Sequence, residues 1–163
     1  FLVARTAELY RSGHTFCGRM DPNGLQEVLS ALALVIDPTL SVPGDPDNVR
    51  RAVTRIEGTL THSFKHSMKA KAATYAVQVG YSDVIAWKEA ALATACRTAL
   101  LLTCDLSEAI ETLFRLHDRD VDTYEQRIEV VGEIPELLDL MRFGTSETYF
   151  QLRRRMGLSL DSE

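Results

Sequence analysis

One long apolar stretch, residues 82–104, constrains more than any other feature what this chain can fold into. Between Ala90 and Leu102 it carries a single charged residue, Arg97. Its apolar residues follow helical spacing and cover nearly the whole circumference, which predicts a buried helix with neighbours on several sides. We expect Arg97 to have a partner there, because an unpaired buried charge is costly. A membrane span is not expected, since charged residues interrupt the run and spanning requires about 20 predominantly apolar residues.

The rest of the chain carries the signals that begin and end helices. Asp-Pro pairs at 21–22 and 45–46 are typical of an N-cap followed by proline in the first turn, and Thr61 and Ser146 are further N-cap candidates. Apolar and polar residues alternate nowhere for more than four positions, so strands are not expected. We predict an all-α chain, a closed multi-helix bundle of about eight helices around the buried central helix. Besides 82–104, the predicted helices cover residues 2–16, 21–36, 45–58, 61–80, 107–117, 118–132, 135–144 and 146–157.

The first predicted helix has an apolar and a polar face. Leu9, Tyr10 and Phe16 lie on the apolar face, whereas Arg5 and Glu8 lie on the polar face. An amphipathic helix buries its apolar face, so we expect the three apolar side chains to point into the bundle.

Length and composition fit one globular domain over residues 1–163, of which 45% are hydrophobic. The sequence begins with Phe1 and enters a helical pattern at once, so we interpret it as a fragment of a longer chain. Its three cysteines, Cys17, Cys96 and Cys104, are odd in number, and two lie in apolar helical context. This pattern favours reduced thiols over a disulfide framework, and we therefore expect a cytoplasmic protein.

Charge is unevenly distributed along a chain whose formal net charge is −5. Residues 50–71 hold six basic side chains against one acid, Glu57, and residues 105–139 hold eleven acids against three arginines. Such an asymmetry can steer a protein partner or orient self-association, but for the charges alone we favour two solvated faces, or two faces that partly neutralise each other inside the fold. For the chain we predict a protein partner or self-association. The basic cluster consists of Arg50, Arg51, Arg55, Lys65, Lys69 and Lys71.

Nucleic-acid binding through this basic cluster is a further hypothesis. Binding of single strands uses aromatic side chains on which bases stack. Phe64 and Tyr75 are the aromatic residues near the cluster, and helical spacing turns both inward. We therefore do not expect nucleic acid as a partner.

The last predicted helix places Tyr149 and Phe150 ahead of three consecutive arginines. If this helix packs on the central one, both aromatic residues are buried and the arginines compensate the negative end of the helix dipole. If it extends outward, it is an amphipathic docking element. We favour packing, because Gly157 is typical of a helix stop. The three arginines join the predicted interaction residues: Arg153, Arg154 and Arg155.

A metal site is the main alternative to an interaction role. His62 and His66 are four residues apart, which places them on one face of a helix, and Glu89 is a candidate third ligand. Ser63 stands where a zinc peptidase of the H-E-x-x-H type has its glutamate, so peptide hydrolysis is not expected. The alternative hypothesis is a zinc or iron ion bound by a helical domain, against two solvated histidines among lysines.

The sequence contains no other motif that carries chemistry. It has no G-x-S-x-G elbow, P-loop or dinucleotide glycine pattern. Asp118, Asp120 and Asp122 alternate as in a calcium loop, but the central glycine and the final glutamate are missing, so we interpret them as acidic helix-start residues. Residues 118–132 keep helical spacing, although their β-branched residues also suit an extended segment. We expect no resident cofactor and favour a non-enzymatic domain.

Two segments carry a resemblance to a known group of proteins. Residues 97–110, RTALLLTCDLSEAI, and 136–158, ELLDLMRFGTSETYFQLRRRMGL, resemble parts of an uncharacterised helical domain at the C-terminus of large bacterial tetratricopeptide-containing proteins. In that group a buried helix ends in a small residue followed by Asp-Leu, here residues 104–106, and the chain ends in a Phe-Ser-Tyr-Phe-Leu-Arg-Gly-Leu type helix. The matching residues of that helix are Phe143, Ser146, Tyr149, Phe150, Leu152, Arg153, Gly157 and Leu158. The resemblance implies an interaction or scaffolding domain appended to a larger intracellular protein.

Overall fold

The computed structural model describes residues 1–119, 121 and 123–158. Within this part of the chain there are nine α-helices, a 3₁₀ turn at Thr15–Gly18 and no β-strand, which confirms the predicted all-α class. Asp120 and Asp122, interpreted above as helix-start residues, lie outside the described residues. The helices are α1 (Leu2–Arg11), α2 (Pro22–Ile36), α3 (Pro46–Ile56), α4 (His62–Gln78), α5 (Tyr81–Thr103), α6 (Leu106–Leu116), α7 (Tyr124–Val131), α8 (Pro135–Gly144) and α9 (Glu147–Arg155).

The four predicted N-caps are confirmed. Asp21, Asp45, Thr61 and Ser146 each accept a hydrogen bond from a backbone amide two or three residues further on, at N···O distances between 2.7 and 3.3 Å. These bonds satisfy donors that the first turn of a helix leaves without an intrahelical partner. The capping side chains therefore determine where α2, α3, α4 and α9 begin.

The predicted central helix is present as α5, which begins one residue early, at Tyr81, and ends before Cys104, whose φ is +58°. Its predicted burial on nearly all sides is only partly right, because Trp87 and Leu102 are 39% and 56% exposed. Ala95, Cys96, Ala99 and Leu100 are fully buried on it. In the described part of the chain, no helix is long and apolar enough to cross a membrane.

Arg97 of α5 has the predicted partner, although its side chain is 46% exposed and not buried as expected. Its Nε donates to Asp139 Oδ2 at 2.8 Å, a second guanidinium nitrogen pairs with Oδ1, and the group lies 5.5 Å from the Phe143 ring centroid. The hydrogen bond with Asp139 raises the pKa of the Arg97 guanidinium further. This pair ties α5 to α8.

The prediction for the first helix is wrong in its length and its faces. α1 ends at Arg11, because Gly13 turns the chain with a φ of +74°, a conformation that glycine adopts at little cost. Tyr10 and Phe16 are exposed, whereas Arg5 and Glu8 are buried with Leu9. Arg5 and Glu8 can be buried because each has its own partner: Arg5 donates to Cys96, and Glu8 pairs with Arg11.

α7 begins later than predicted. Residues 118–132 were expected to be helical, but the helix starts at Tyr124. Thr123 Oγ1 accepts from the Gln126 amide at 3.3 Å, and Gln126 Oε1 accepts from the Thr123 amide at 3.1 Å. This reciprocal capping box fixes the start.

The chain divides into two compact units. The middle unit comprises residues 19–88, and the terminal unit comprises residues 1–18 together with the chain from 89 onward; α5 begins in the first and continues into the second. The expectation of a single domain over residues 1–163 stays a prediction.

The terminal unit has a core of aliphatic and aromatic side chains from α5, α6, α8 and α9. Gly144 of α8 lets two helices approach closely, since a Cβ atom there would lie 3.0 Å from Leu100 Cδ2 and 3.1 Å from Leu106 Cδ1. Interiors at crystal-like packing density leave no room for that atom. The core residues are Cys96, Leu100, Ala109, Leu113, Phe114, Val121, Ile134, Leu137, Leu140 and Tyr149.

In the middle unit, α2 packs against α3 and α4. Leu25, Ala31, Ala33 and Val35 are buried on α2, and Val49 is buried on α3. Loop 37–45 connects α2 to α3 and borders the site described next.

Candidate interaction site

The middle unit contains a groove with apolar walls. α2 contributes Leu34, loop 37–45 contributes Val42, and α3 contributes Val49 and Val53. The groove has a volume of about 520 Å³, within the range of roughly 300–1,000 Å³ that is typical of ligand pockets. Leu34, Val42 and Val53 are only half-buried, so they leave apolar surface that a bound molecule would cover.

Ser30, fully buried on α2, holds two neighbouring segments against that helix. Its hydroxyl donates to the Pro43 carbonyl at 2.7 Å and lies 2.9 Å from the Tyr75 hydroxyl, which donates to the Gln26 carbonyl at 3.3 Å. Burial raises the pKa of the Tyr75 hydroxyl, and the hydrogen bond with Ser30 partly opposes that shift. The loop and α4 are thus both bonded to α2.

The two ends of the loop are fixed as well. Asp37 accepts hydrogen bonds from the Thr39 hydroxyl at 2.6 Å and the Thr39 amide at 3.1 Å, and Lys69 Nζ lies 3.3 Å from the same carboxylate. These contacts, Thr39 foremost, lower the pKa of the Asp37 carboxyl. Gly44 has a φ of +108°, which side chains disfavour, and a Cβ there would lie 3.3 Å from Val49 Cγ2. The groove therefore has walls that are already formed.

Two members of the basic cluster line the groove, Arg50 and Lys65, together with the acid Glu57. Arg50 pairs with Asp47 at 3.3 Å, but both side chains are largely exposed, and such pairs contribute only about 0–1 kcal/mol. Lys65 forms no ion pair within the described ranges. The rim of the groove can therefore offer two cations to a ligand.

The other members of the basic cluster are exposed outside the groove. Lys69 is held by Asp37, and Arg51 donates to Asn48 Oδ1. Lys71 lines a smaller crevice of about 160 Å³ between α2 and α4. The structure thus separates a set that the sequence grouped together.

Arg153 is buried, unlike the other predicted interaction residues, and its predicted interaction role stays a prediction. Its side chain is only 8% exposed, its guanidinium donates to the Leu101 and Leu158 carbonyls, and Nη1 lies 3.4 Å from the Tyr149 hydroxyl. The group also lies 5.7 Å from the Tyr149 ring centroid. Arg153 therefore ties α9 to α5, while the neighbouring Arg154 and Arg155 are exposed.

The packing prediction for α9 is half confirmed. Tyr149 is buried in the core of the terminal unit, as expected for a helix that packs on α5. Phe150 is exposed, so its predicted burial is wrong; it lies one position, or about 100°, further round the helix. Gly157, with a φ of +68°, ends the helix as predicted.

The terminal unit also contains a buried polar cluster that the sequence did not predict. Arg5 Nε donates to Cys96 Sγ at 3.3 Å, Glu8 pairs with Arg11 at 2.7 Å, and the buried Glu136 lies 3.6 Å from His117 Nε2. Burial raises the pKa of the Cys96 thiol, and Arg5 only partly offsets this effect. Cys96 is therefore a neutral, shielded thiol and a poor nucleophile.

The predicted metal ligands are all outside the buried core. His62 and His66 lie on α4 of the middle unit, and Glu89 lies on the part of α5 that belongs to the terminal unit. Among the residues described, no group of three or more His, Cys, Asp and Glu side chains is arranged to hold a metal. Metal binding by these residues stays a prediction.

The two aromatic residues near the basic cluster, Phe64 and Tyr75, differ in how far they are buried. Tyr75 is half-buried and bonded to α2, as expected. Phe64 is 42% exposed, so its predicted inward orientation is only partly right; one side of the ring lines the crevice between α2 and α4. One exposed ring does not form the stacking platform that single-strand binding uses.

The apolar walls of the groove were not among the predicted site residues. Leu34, Val42 and Val53 are ordinary helix and loop residues in the sequence, and their role depends on how α2, the loop and α3 come together. The sequence did carry one signal, the loop itself, because three of the five prolines lie between residues 37 and 46, next to the basic cluster.

Comparison of the chain with known proteins identifies no related protein. The chain matches no protein-family model, and searches of curated proteins and of solved structures also find no match.

Proposed function

We propose that this chain is a non-enzymatic interaction or scaffolding domain, and that the groove of the middle unit binds an amphipathic helical segment of a protein partner. The observation that carries the proposal is the combination of preformed apolar walls with Arg50 and Lys65 at the rim. Groove binding of an amphipathic helix is a common mode of protein recognition, in which apolar residues spaced by three or four positions fill the groove.

The apolar walls supply the affinity. Burying a fully exposed Val or Leu side chain contributes about 1.5–3 kcal/mol, so covering the three half-buried side chains here contributes roughly half of that for each. Because Ser30, Asp37 and Gly44 already hold the walls, little conformational entropy is lost when a ligand binds.

The rim supplies the preference for acidic partners. The pair of Arg50 with Asp47 is exposed and weak, so a carboxylate of the ligand can compete for Arg50. Lys65 offers a second cation. Glu57 adds a negative charge that repels some ligands and so contributes to selectivity. The preferred ligand is therefore apolar on one face and acidic beside it.

The same proposal includes the larger protein to which the domain belongs and its location in the cell. The resemblance of residues 97–110 and 136–158 to the end domain of bacterial tetratricopeptide-containing proteins supports a module of a larger scaffold. The three cysteines, all within the described residues, form no disulfide, and two of them are buried, which supports a cytoplasmic location.

A peptide library displayed on phage tests the proposal. The library is selected on the wild-type chain, and the affinity of each enriched peptide is then measured for the wild type and for Val53→Glu, which places a carboxylate within the apolar wall. We expect enriched sequences with apolar residues at helical spacing next to Asp or Glu, and a loss of affinity of about tenfold or more on Val53→Glu.

Val77→Glu is the matched control, because it makes the same substitution at an exposed valine of the same unit, outside the groove. It should bind the selected peptides as the wild type does. Peptides that bind Val53→Glu as well as the wild type would contradict the proposal.

The two alternatives have separate tests. Stoichiometric zinc or iron in the purified protein, lost in His66→Ala, would favour the metal-binding hypothesis. Salt-sensitive retention on DNA or RNA would favour nucleic-acid binding by the basic cluster.

A further inference from the structure

Among the helices of the terminal unit that expose large apolar side chains are α1, α7 and α9. Val3 and Tyr10 of α1 are 84% and 80% exposed, Phe150 of α9 is exposed, and Tyr124 and Ile128 of α7 are 74% and 58% exposed. Each of these faces is a candidate occupant for an apolar groove on another molecule.

Charge distinguishes the three faces. On α9 the exposed charged residues are Glu147, Arg154 and Arg155, and on α1 the exposed Arg11 pairs with the buried Glu8, so neither helix presents a net negative charge to a groove with a cationic rim. On α7 the exposed charges beside the apolar pair are Glu125 and Glu129. These two carboxylates form no ion pair in the part of the chain that the structure covers.

The arrangement of α7 fits the ligand that the groove prefers. Tyr124 and Ile128 are four positions apart and form one strip, and Glu125 and Glu129 form a parallel strip about 100° further round. The cation on the other side of the apolar strip, Arg127, is already held by Glu111 and lies 5.9 Å from the Phe114 ring centroid.

α7 is also ordered before it binds. Its capping box, formed by Thr123 and Gln126, fixes the first turn, and Val121 and Ile134 on either side belong to the core of the terminal unit. A preformed helix loses less entropy on docking than a disordered peptide.

We propose that α7 of one copy of this chain docks in the middle-unit groove of a second copy. Tyr124 and Ile128 cover Leu34, Val42 and Val53, while Glu125 and Glu129 face Arg50 and Lys65. The inference rests on the proposed function, since it names the occupant of the same groove.

The two surfaces are different, so a single contact between two copies leaves one groove and one α7 unused. These either pair with each other, which closes a dimer, or bind further copies, which leads to a larger ring or to a chain that grows with concentration. Because exposed charges contribute, the association weakens as salt is raised.

Sedimentation velocity of two variants, separately and mixed, tests the inference. Val53→Glu destroys the groove but keeps α7, and Ile128→Glu destroys the α7 face but keeps the groove. We expect the wild type to form larger species with rising concentration and each variant alone to be monomeric. An equimolar mixture should form a dimer and nothing larger, because the mixture contains one intact groove and one intact α7 per pair.

Val77→Glu should associate as the wild type does, and circular dichroism spectra should show that all variants are folded. A wild type that stays monomeric at all concentrations, or a mixture that stays monomeric while the wild type associates, overturns the inference. If either result occurs while displayed peptides still distinguish the wild type from Val53→Glu, the groove function stands and only its self-association fails.

Discussion

The two units use their charged residues in different ways. In the terminal unit the charged residues Arg5, Glu8, Glu136 and Arg153 are buried. In the middle unit, none of the described Asp, Glu, Lys and Arg side chains is buried; its buried polar residues are Gln26 and Ser30. All buried side-chain nitrogen and oxygen atoms of the described residues have hydrogen-bond partners.

The difference shows why charge clusters in a sequence do not by themselves locate a binding surface. The arginines at 153–155 look alike, yet one is a structural residue and two are exposed. Desolvating a charge is costly, so a buried arginine persists only where several acceptors surround it. In the middle unit the cations stay in solvent beside an apolar groove, where a partner can reach them.

The largest effect should come from the core of the terminal unit. Leu100→Ala removes a fully buried side chain and should lower the free energy of unfolding by about 2–5 kcal/mol, measured by urea denaturation. Leu102→Ala, on the exposed side of the same helix, should change it by less than about 0.5 kcal/mol. Equal losses for the two variants would show that Leu100 does not lie on the buried face of α5.

The next effect separates the adjacent arginines. Arg153→Ala removes the bonds to the Leu101 and Leu158 carbonyls and should cost about 1.5–3 kcal/mol of unfolding free energy. Arg154→Ala should cost less than about 0.5 kcal/mol, because that side chain is exposed. If the two variants unfold at the same urea concentration, α9 is not anchored through Arg153.

A smaller effect is expected at the buried Ser30 hydroxyl beside the groove. Ser30→Ala removes the bonds to Pro43 and Tyr75 and should cost about 1–2 kcal/mol of unfolding free energy. It should also weaken binding in the groove, since loop 37–45 loses its tie to α2. Ser67→Ala, which removes an exposed hydroxyl on α4, is the control and should affect neither. Unchanged groove affinity in Ser30→Ala would mean that the loop is held in another way.

The smallest effect is electrostatic. The Asp37 carboxyl has a pKa below its ordinary value, so it stabilises the fold above the pKa of the unfolded state and loses this contribution as pH falls through the lower, folded pKa. Thr39→Val should raise the pKa of Asp37 more than Lys69→Ala does, because the Thr39 hydroxyl bond is the larger cause. Carboxyl titration followed by NMR measures both. A larger rise in Lys69→Ala would reverse the assigned causes.

Local signals in the sequence predicted more of the fold than of the candidate site. The caps at Asp21, Asp45, Thr61 and Ser146 act within three residues, so the sequence alone locates them. The Thr123–Gln126 capping box was also visible and would have placed the start of α7 correctly.

The contacts that were missed are distant in the chain. Arg5 and Cys96 are 91 residues apart, and Arg153 and Leu101 are 52 apart. No helical period encodes such pairs, and therefore the burial of Arg5 and Arg153 could not be predicted. The groove is formed by α2, loop 37–45 and α3, and no local pattern in the sequence predicts how these three segments pack.

Methyl groups in the groove provide the most direct test of the proposed contact. Ile128→Glu, with an intact groove and ¹³C-labelled Leu and Val methyls, is titrated with unlabelled Val53→Glu, which keeps α7. We predict that the methyl signals of Leu34, Val42 and Val53 shift with added protein, and that those of Val77 do not. An unlabelled chain carrying both substitutions should cause no shifts. If the groove methyls stay unchanged, or if shifts appear only elsewhere, α7 does not occupy the groove.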